Sequence, residues 1–173
     1  MAQTISVAPR PGVVRTLDDL AALGAAECLE LYRSGTTPRV ADLDGDLVGR
    51  MLVAPWAWAF VAGPLRSWAR SKGFPWRGKS FRSLSDERGE GINRVFGDRS
   101  PRRWFRFETF VAPSRAGAFD ALQLDYDNPG NPFFIRPIKD EVREVAPGLW
   151  LGQAWLALGR KPRLAVYFGL QKT

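Results

Sequence analysis

The feature that most constrains the fold is a series of short β-like segments that occupies the chain after Gly73. The segments are rich in aromatic and branched residues, and clusters of Gly, Pro, Asn and Asp separate them at even spacing. They run over 76–84, 90–96, 103–111, 121–127, 138–145, 150–158 and 164–170. The stretch 43–53 is predicted as a further strand. This spacing predicts an antiparallel barrel or, alternatively, a two-sheet sandwich.

The total of eight predicted strands favours the barrel, because eight strands can close into one. The lumen of such a barrel can hold one small ligand. We therefore predict a mainly β fold, an eight-stranded antiparallel lipocalin-like barrel with an N-terminal helix. The helix is predicted over 16–34, where Thr16 is a suitable N-cap and Gly35 ends the pattern. Residues 55–72 are predicted as two short helical pieces that form a lid between strands 1 and 2.

The chain is predicted to form one domain, since 173 residues is an ordinary length for one. Residues 1–15 contain Pro9, Pro11 and Gly12, and are predicted to be a flexible N-terminal arm. Residues 16–173 are predicted to form the single β-barrel domain with its N-terminal helix.

The absence of histidine excludes much of the chemistry that enzymes use. Neither a Ser-His or Cys-His nucleophile pair nor a His-ligated metal or haem is available. Cys28 is the only cysteine, which excludes a disulfide within the chain. We therefore predict no metal site and no cofactor. The longest apolar stretch, 53–64, is too short to span a bilayer, so we expect no transmembrane segment and a cytoplasmic location.

Two short stretches carry a family resemblance. Trp76-Arg-Gly-Lys79 resembles a W-x-G-K element found at the start of a strand in several bacterial barrels, and residues 138–152 are similar to the final hairpin of bacterial lipocalin-like proteins. Over residues 43–170 the order of elements resembles the calycin-type barrels, the lipocalins and intracellular fatty-acid-binding proteins. The resemblance implies a cavity for an apolar or amphiphilic molecule and transfers no catalytic residue. Nitrobindin-like barrels bind haem through a histidine, which this chain lacks.

Residues 73–80 also match the P-loop pattern G-x-x-x-x-G-K-[ST]. A phosphate-binding P-loop follows a buried strand and precedes a helix, whereas here a helix-like segment precedes and a strand follows. Pro75 also lacks the backbone amide that would contact a phosphate. The stretch is better interpreted as a turn entering a strand, and a nucleotide site is kept as a third hypothesis.

Strand alternation selects the polar residues that can face the lumen. Neither face of the segment 138–145 is free of charge, so we expect at least one charge to point inward and to be paired there. The expected pair joins Asp140 or Glu141 to Arg143 or Arg106, and exposed cross-strand ion pairs are the alternative. The candidate catalytic residues are Asp140, Glu141, Tyr126 and Tyr167. The candidate ligand-binding residues are Arg106, Arg143, Gln153, Asp125, Phe107, Trp155 and Trp58.

Two functions of different classes follow from these patterns. The leading hypothesis is a cavity that binds a hydrophobic or amphiphilic small molecule, as a carrier or as a cofactor-independent isomerase or cyclase that uses a carboxylate and a tyrosine as acid and base. The alternative is a basic, aromatic-rich module that binds nucleic acid or an anionic surface. It depends on residues 66–106, which hold 12 basic and 4 acidic side chains, a net charge of +8.

Overall fold

The computed structural model describes residues 13–55, 75–97 and 99–172, and these ranges form a barrel preceded by short helices. Two α-helices come first, α1 at Leu17–Ala22 and α2 at Ala25–Ser34, and a 3₁₀ helix follows at Val40–Leu43. The strands are β1 Gly45–Met51, β2 Trp76–Ser83, β3 Arg88–Val95, β4 Arg102–Pro113, β5 Asp120–Asp125, β6 Ile138–Ala146, β7 Leu149–Leu156 and β8 Arg163–Lys172.

The eight strands form one closed antiparallel barrel in chain order. Each strand pairs with the next, and β8 returns to pair with β1, with Gly49 opposite Leu170. The predicted barrel is therefore confirmed, and the sandwich alternative is wrong because no edge separates two sheets in the described strands. None of the helices in these ranges has the length and hydropathy of a transmembrane helix.

The N-terminal helical region differs from the single helix predicted over 16–34. Thr16 caps α1 through a capping box with Asp19. Leu23 and Gly24 then adopt extended backbone conformations, and the Glu27 side chain accepts the Gly24 N–H at 2.7 Å to begin α2. The predicted helical periodicity is present, but Leu23 ends one helix and Gly24 begins the next.

Two hydrophobic clusters divide the molecule between the lumen and the outer face of the barrel. The lumen cluster includes Leu47, Phe107 and Trp150, and the 3₁₀ helix closes one end of it with Val40 and Leu43. The second cluster lies outside the sheet, where α1 and α2 cover residues of β7 and β8; it includes Leu20, Tyr32, Leu151 and Tyr167. The end of the barrel opposite the 3₁₀ helix is called the cavity end below.

The predicted lid and the predicted N-terminal arm lie mainly outside the described residues. Residues 56–74 contain most of the lid, including Trp58, and residues 1–12 contain most of the arm. The chain leaves the described part at Pro55 and returns at Pro75, which lies at the cavity end of the barrel.

Candidate functional site

The cavity end of the barrel contains a pocket of about 380 Å³. This volume falls within the range of small-molecule sites in proteins. Its walls are largely apolar and include Met51, Trp76, Phe105, Ile138, Trp155 and Phe168. Its polar lining residues are Lys79, Asn93, Tyr126 and Asp140. We call these four residues the polar cluster.

A β-bulge in β2 brings Lys79 into the lumen. Trp76 pairs with Val95, but the register shifts so that Gly78 pairs with Arg94 and Lys79 with Asn93. The shift places Trp76 and Lys79 on the same face although their positions differ by three, whereas strict alternation would point Lys79 outward. Gly78 makes the bulge possible because its φ is +131°, and a Cβ there would lie 2.1 Å from the Leu47 carbonyl oxygen.

Lys79 has three hydrogen-bond acceptors in the polar cluster. Its Nζ lies 3.0 Å from Asp140 Oδ2 and 2.9 Å from Asn93 Oδ1, and it also contacts the Tyr126 hydroxyl. An ammonium group has three N–H donors, so all of them are used. The side chains of Lys79 and Asp140 are almost fully buried, at 4% and 6% exposed, and a buried ion pair of this kind is tolerated only with such complete hydrogen bonding.

The remaining hydrogen bonds orient Tyr126 toward the carboxylate. Trp76 Nε1 donates to Asn93 Oδ1 at 2.9 Å, which directs the Asn93 amide nitrogen toward the Tyr126 oxygen at 3.0 Å. The Tyr126 hydroxyl can then donate to Asp140 Oδ2 at 3.2 Å. The other carboxylate oxygen, Asp140 Oδ1, is buried and has no hydrogen-bond partner in the described ranges. The cluster therefore has one unused acceptor.

Aromatic rings enclose the Lys79 ammonium. Its Nζ lies 5.1 Å from the ring centroids of Phe107 and Tyr126, 5.2 Å from that of Phe168 and 5.5 Å from that of Trp76. Cation–π attraction of this kind offsets part of the cost of removing the ammonium from water. The rings also keep water from the ion pair, which strengthens its electrostatic interactions.

Burial changes the acid–base properties of the cluster. It lowers the pKa of the Lys79 amine and raises the pKa of the Asp140 carboxyl, and the charge of each partner opposes the other's shift. Burial, followed by the charge of Asp140, also raises the pKa of Tyr126 well above its ordinary value of 10.0. The two shifts of the pair bring the proton affinities of amine and carboxyl closer together. Groups arranged in this way can exchange a proton with a bound molecule.

The structure brings four of the predicted site residues to this end of the lumen. Asp140 and Tyr126 belong to the polar cluster, Trp155 lines the pocket, and Phe107 packs beneath the Lys79 ammonium. The indole Nε1 of Trp155 is buried and lacks a hydrogen-bond partner among the residues described. Trp58 lies in the range 56–74, outside the described residues.

The other predicted site residues lie on the outer face of the barrel. Gln153 Nε2 donates to the Tyr167 hydroxyl at 3.3 Å, and Tyr167 belongs to the cluster beneath α1 and α2. Asp125 pairs with Lys139, and the Arg106 side chain is exposed on the surface of β4. These residues follow the alternation that places Tyr126 and Asp140 inside, so they do not reach the pocket.

Glu141 and Arg143 stabilise the contact between the sheet and the segments outside it. Glu141 accepts hydrogen bonds from Ser114 Oγ at 2.8 Å and from the Arg115 backbone at 3.1 Å, and it forms an ion pair with Arg115. Arg143 donates to the carbonyl oxygens of Gly35 and Asp120. The predicted pairing of Asp140 or Glu141 with Arg143 or Arg106 is therefore wrong. The partners are Lys79 inside and Arg115 outside.

Sequence reasoning missed Lys79 and Asn93. Lys79 belongs to both the W-x-G-K element and the P-loop pattern, and it lies in β2, with its ammonium inside the barrel. The available signal was Gly78 within a predicted strand, since an isolated glycine there often marks a bulge. Asn93 shares the inward face of β3 with Val95, which alternation alone would have indicated. Within the described ranges, no group of three or more Asp, Glu, Cys or His side chains is placed to hold a metal ion.

The fold and the pocket define the class of protein: closed antiparallel barrels of eight strands with an apolar cavity at one end of the lumen. No family model and no curated protein matches this chain. Among solved structures, the chain is similar to the crystal structure of a protein from Thermomonospora curvata. The two share 19% sequence identity over 87% of this chain and 88% of that one, with a TM-score of 0.47.

Proposed function

We propose that this protein binds a hydrophobic or amphiphilic small molecule in the lumen of the barrel, in the manner of the calycin-type proteins. The observation that carries the proposal is the pocket of about 380 Å³, with apolar walls and the polar cluster as its only concentration of charge in the described ranges. Apolar walls favour a hydrophobic body, and a few convergent polar groups fix the orientation of the ligand.

The polar cluster supports an enzymatic form of this function as well as a carrier. Asp140 and Tyr126 are in hydrogen-bond contact, with the carboxylate as the candidate base and the phenol as the candidate acid. Lys79 would hold the carboxylate in place and balance its charge. A substrate with an apolar body and one polar group would be isomerised or cyclised without a cofactor. A carrier would return the same molecule unchanged. A cytoplasmic location stays a prediction.

Native mass spectrometry of the protein purified from its own host tests the proposal directly. We expect a bound molecule that is released on denaturation. We also expect the tryptophan fluorescence of the empty protein to change when members of a panel of lipids and polyketides are added. Asp140→Asn and Tyr126→Phe then separate the two forms. If the protein is an enzyme, the variants retain bound substrate that the wild type converts. The proposal would be overturned if no bound molecule were found and if no member of the panel changed the tryptophan fluorescence.

A further inference from the structure

Large aromatic side chains are exposed at the cavity end of the barrel. Phe133 and Phe134, in the loop between β5 and β6, are 83% and 60% exposed, and their rings are in contact. Phe96, after β3, and Trp104, in β4, are also exposed, with ring centroids 5.5 Å apart. We call Phe96, Trp104, Phe133 and Phe134 the aromatic rim. Exposed aromatic clusters of this kind mark sites of interaction.

The aromatic rim is continuous with the wall of the pocket. Trp104 contacts Phe105 at 5.9 Å between ring centroids, and Phe105 lines the pocket. Ile135, next to Phe134 in the chain, lines it as well. A groove on the outer surface contains both Trp104 and Phe134 and reaches Phe105. A molecule that enters or leaves the pocket on this side therefore passes along the rim.

Unpaired positive charge accompanies these rings. Arg103 and Arg106 line the groove with Trp104 and Phe134, and Arg102 lies beside Phe96 in a neighbouring depression. Arg103 pairs with Asp46 at 3.5 Å, whereas Arg102 and Arg106 form no ion pair in the part of the chain described. Exposed Arg and Lys side chains near anionic lipids favour binding, and the contributions of several such side chains add.

A second loop at the cavity end also combines an exposed apolar side chain with positive charge. In the connection between β7 and β8, Leu158 is exposed next to exposed Arg160 and Lys161. The hairpin at the opposite end differs, because its exposed Leu84 lies among charges of both signs: Arg82 and Arg88 pair with Glu90 and Glu108, and Asp86 and Glu87 are exposed beside them. In the described loops, the stretch 158–161 thus combines an apolar side chain with cations and no carboxylate, whereas the hairpin at the opposite end carries both charges.

We propose that the cavity end docks on an anionic lipid bilayer, with the aromatic rim inserted at the interface and the arginines against the headgroups. Phe and Trp side chains partition into this interface, and cations next to them are attracted to the anionic headgroups. A bilayer fits better than a nucleic acid, because Phe133, 83% exposed, does not line the cationic groove and contacts the Phe134 ring edge to face at 87°. Exposed Leu158, beside Arg160 and Lys161, also has no ring that could stack on a base. Base stacking needs open ring faces along a cationic groove.

A bilayer at the cavity end would be a source of ligand for the pocket. A hydrophobic molecule dissolves in the bilayer rather than in water, so a protein that docks with its pocket toward the bilayer takes up such a molecule without releasing it into water. This last step rests on the proposed function. The docking itself does not, because the empty protein is expected to bind vesicles without any ligand.

Co-sedimentation of the full-length protein with vesicles tests the docking. Vesicles of phosphatidylcholine alone are compared with vesicles that also contain phosphatidylglycerol, at low and high salt. We expect binding to the anionic vesicles that weakens with salt. Phe133→Ser with Phe134→Ser should reduce the partition coefficient about tenfold or more, and Arg102→Gln with Arg106→Gln should remove most of the preference for anionic lipid. Leu84→Ser, at a side chain that is as exposed as Phe134 but lies at the opposite end, should leave vesicle binding unchanged.

Three results would overturn the inference. They are no binding to anionic vesicles, equal losses for the Leu84 and Phe133/Phe134 variants, and binding to a single-stranded oligonucleotide that depends on the arginines while vesicles are not bound. Ligand binding by the empty protein in detergent-free buffer is measured in parallel. Ligand binding without vesicle binding would support the proposed function and reject the docking. Vesicle binding without ligand binding would support the docking and reject the proposed function.

Discussion

Lys79 Nζ lies 3.0 Å from Asp140 Oδ2, and the two residues come from strands on opposite sides of the barrel. In the closed order β1 to β8, β2 and β6 are four strands apart in either direction. The ion pair therefore crosses the lumen and forms the polar end of the pocket. A contact between opposite walls links the binding site to the closure of the barrel.

The first prediction concerns the dependence of the two charges on each other. Lys79→Met or Asp140→Leu alone leaves one buried charge without its partner, and each should lower the free energy of unfolding by about 3–5 kcal/mol. The double variant removes both charges and should lose clearly less than the sum of the two losses. Urea unfolding of the four proteins measures the cycle. Additive losses would show that the two residues do not interact.

The second prediction concerns the three tyrosines of the chain. Burial raises the pKa of Tyr32, Tyr126 and Tyr167 above the ordinary value of 10.0. The folded protein should therefore give less tyrosinate absorbance than the unfolded chain as the pH passes 10. Because the unfolded chain releases these protons and the folded one retains them, the free energy of unfolding should have its full value below pH 10 and fall as pH rises above it.

Tyr126→Phe is the matched variant for this titration. It keeps the ring and removes one of the groups that resist ionisation, so the decline of stability above pH 10 should become shallower. Urea unfolding at a series of alkaline pH values measures the slope. A tyrosine that titrates at its ordinary pKa in the folded protein would contradict the burial described here.

The third prediction concerns the bulge that turns Lys79 inward. Gly78→Ala adds a Cβ at 2.1 Å from the Leu47 carbonyl oxygen, on a backbone with φ of +131°. Gly45→Ala is the control, because Gly45 has a φ of +109° with nothing within 4 Å of the added Cβ. Gly45→Ala should cost about 1–2 kcal/mol from backbone strain alone, and Gly78→Ala should cost more and weaken ligand binding. Equal costs, measured by urea unfolding, would exclude the clash.

The fourth prediction separates two neighbouring carboxylates. Glu141 is fully buried on the outer face, so Glu141→Gln should lower the free energy of unfolding by about 1–3 kcal/mol and leave ligand affinity unchanged. Asp140→Asn should change ligand affinity, because Asp140 lines the pocket. Fluorescence titration with a bound ligand distinguishes the two variants. A loss of ligand affinity in a folded Glu141→Gln protein would contradict the placement of the binding site inside the lumen.

The barrel could be predicted from the sequence because strands and turns are marked by patterns among residues that are neighbours in the chain. Turn residues at even spacing and alternating side chains located all eight strands to within a few residues, from β1 at Gly45–Met51 to β8 at Arg163–Lys172. Alternation also predicted that a charge of β6 would face inward, which is the position of Asp140. These inferences needed only the two-residue period of a strand.

The partner of Asp140 could not be predicted in the same way. Lys79 is 61 residues away in the chain, and its direction depends on a bulge that reverses the alternation of β2. The outward positions of Glu141, Arg143, Gln153 and Tyr167 depend on which face α1 and α2 cover, and that is decided by packing between distant segments. Periodicity gives the two faces of a strand without stating which of them is inside.

The most direct test of the central claim is to fill the pocket. Ala154 lies in β7 and lines the pocket, so Ala154→Trp places a large ring in the space proposed for the ligand. Equilibrium binding of a hydrophobic ligand is measured by tryptophan fluorescence or calorimetry for both proteins, with circular dichroism to confirm that the barrel is intact. We expect the folded variant to lose binding by at least tenfold. Unchanged affinity in a folded Ala154→Trp protein would contradict the proposal that the lumen is the binding site.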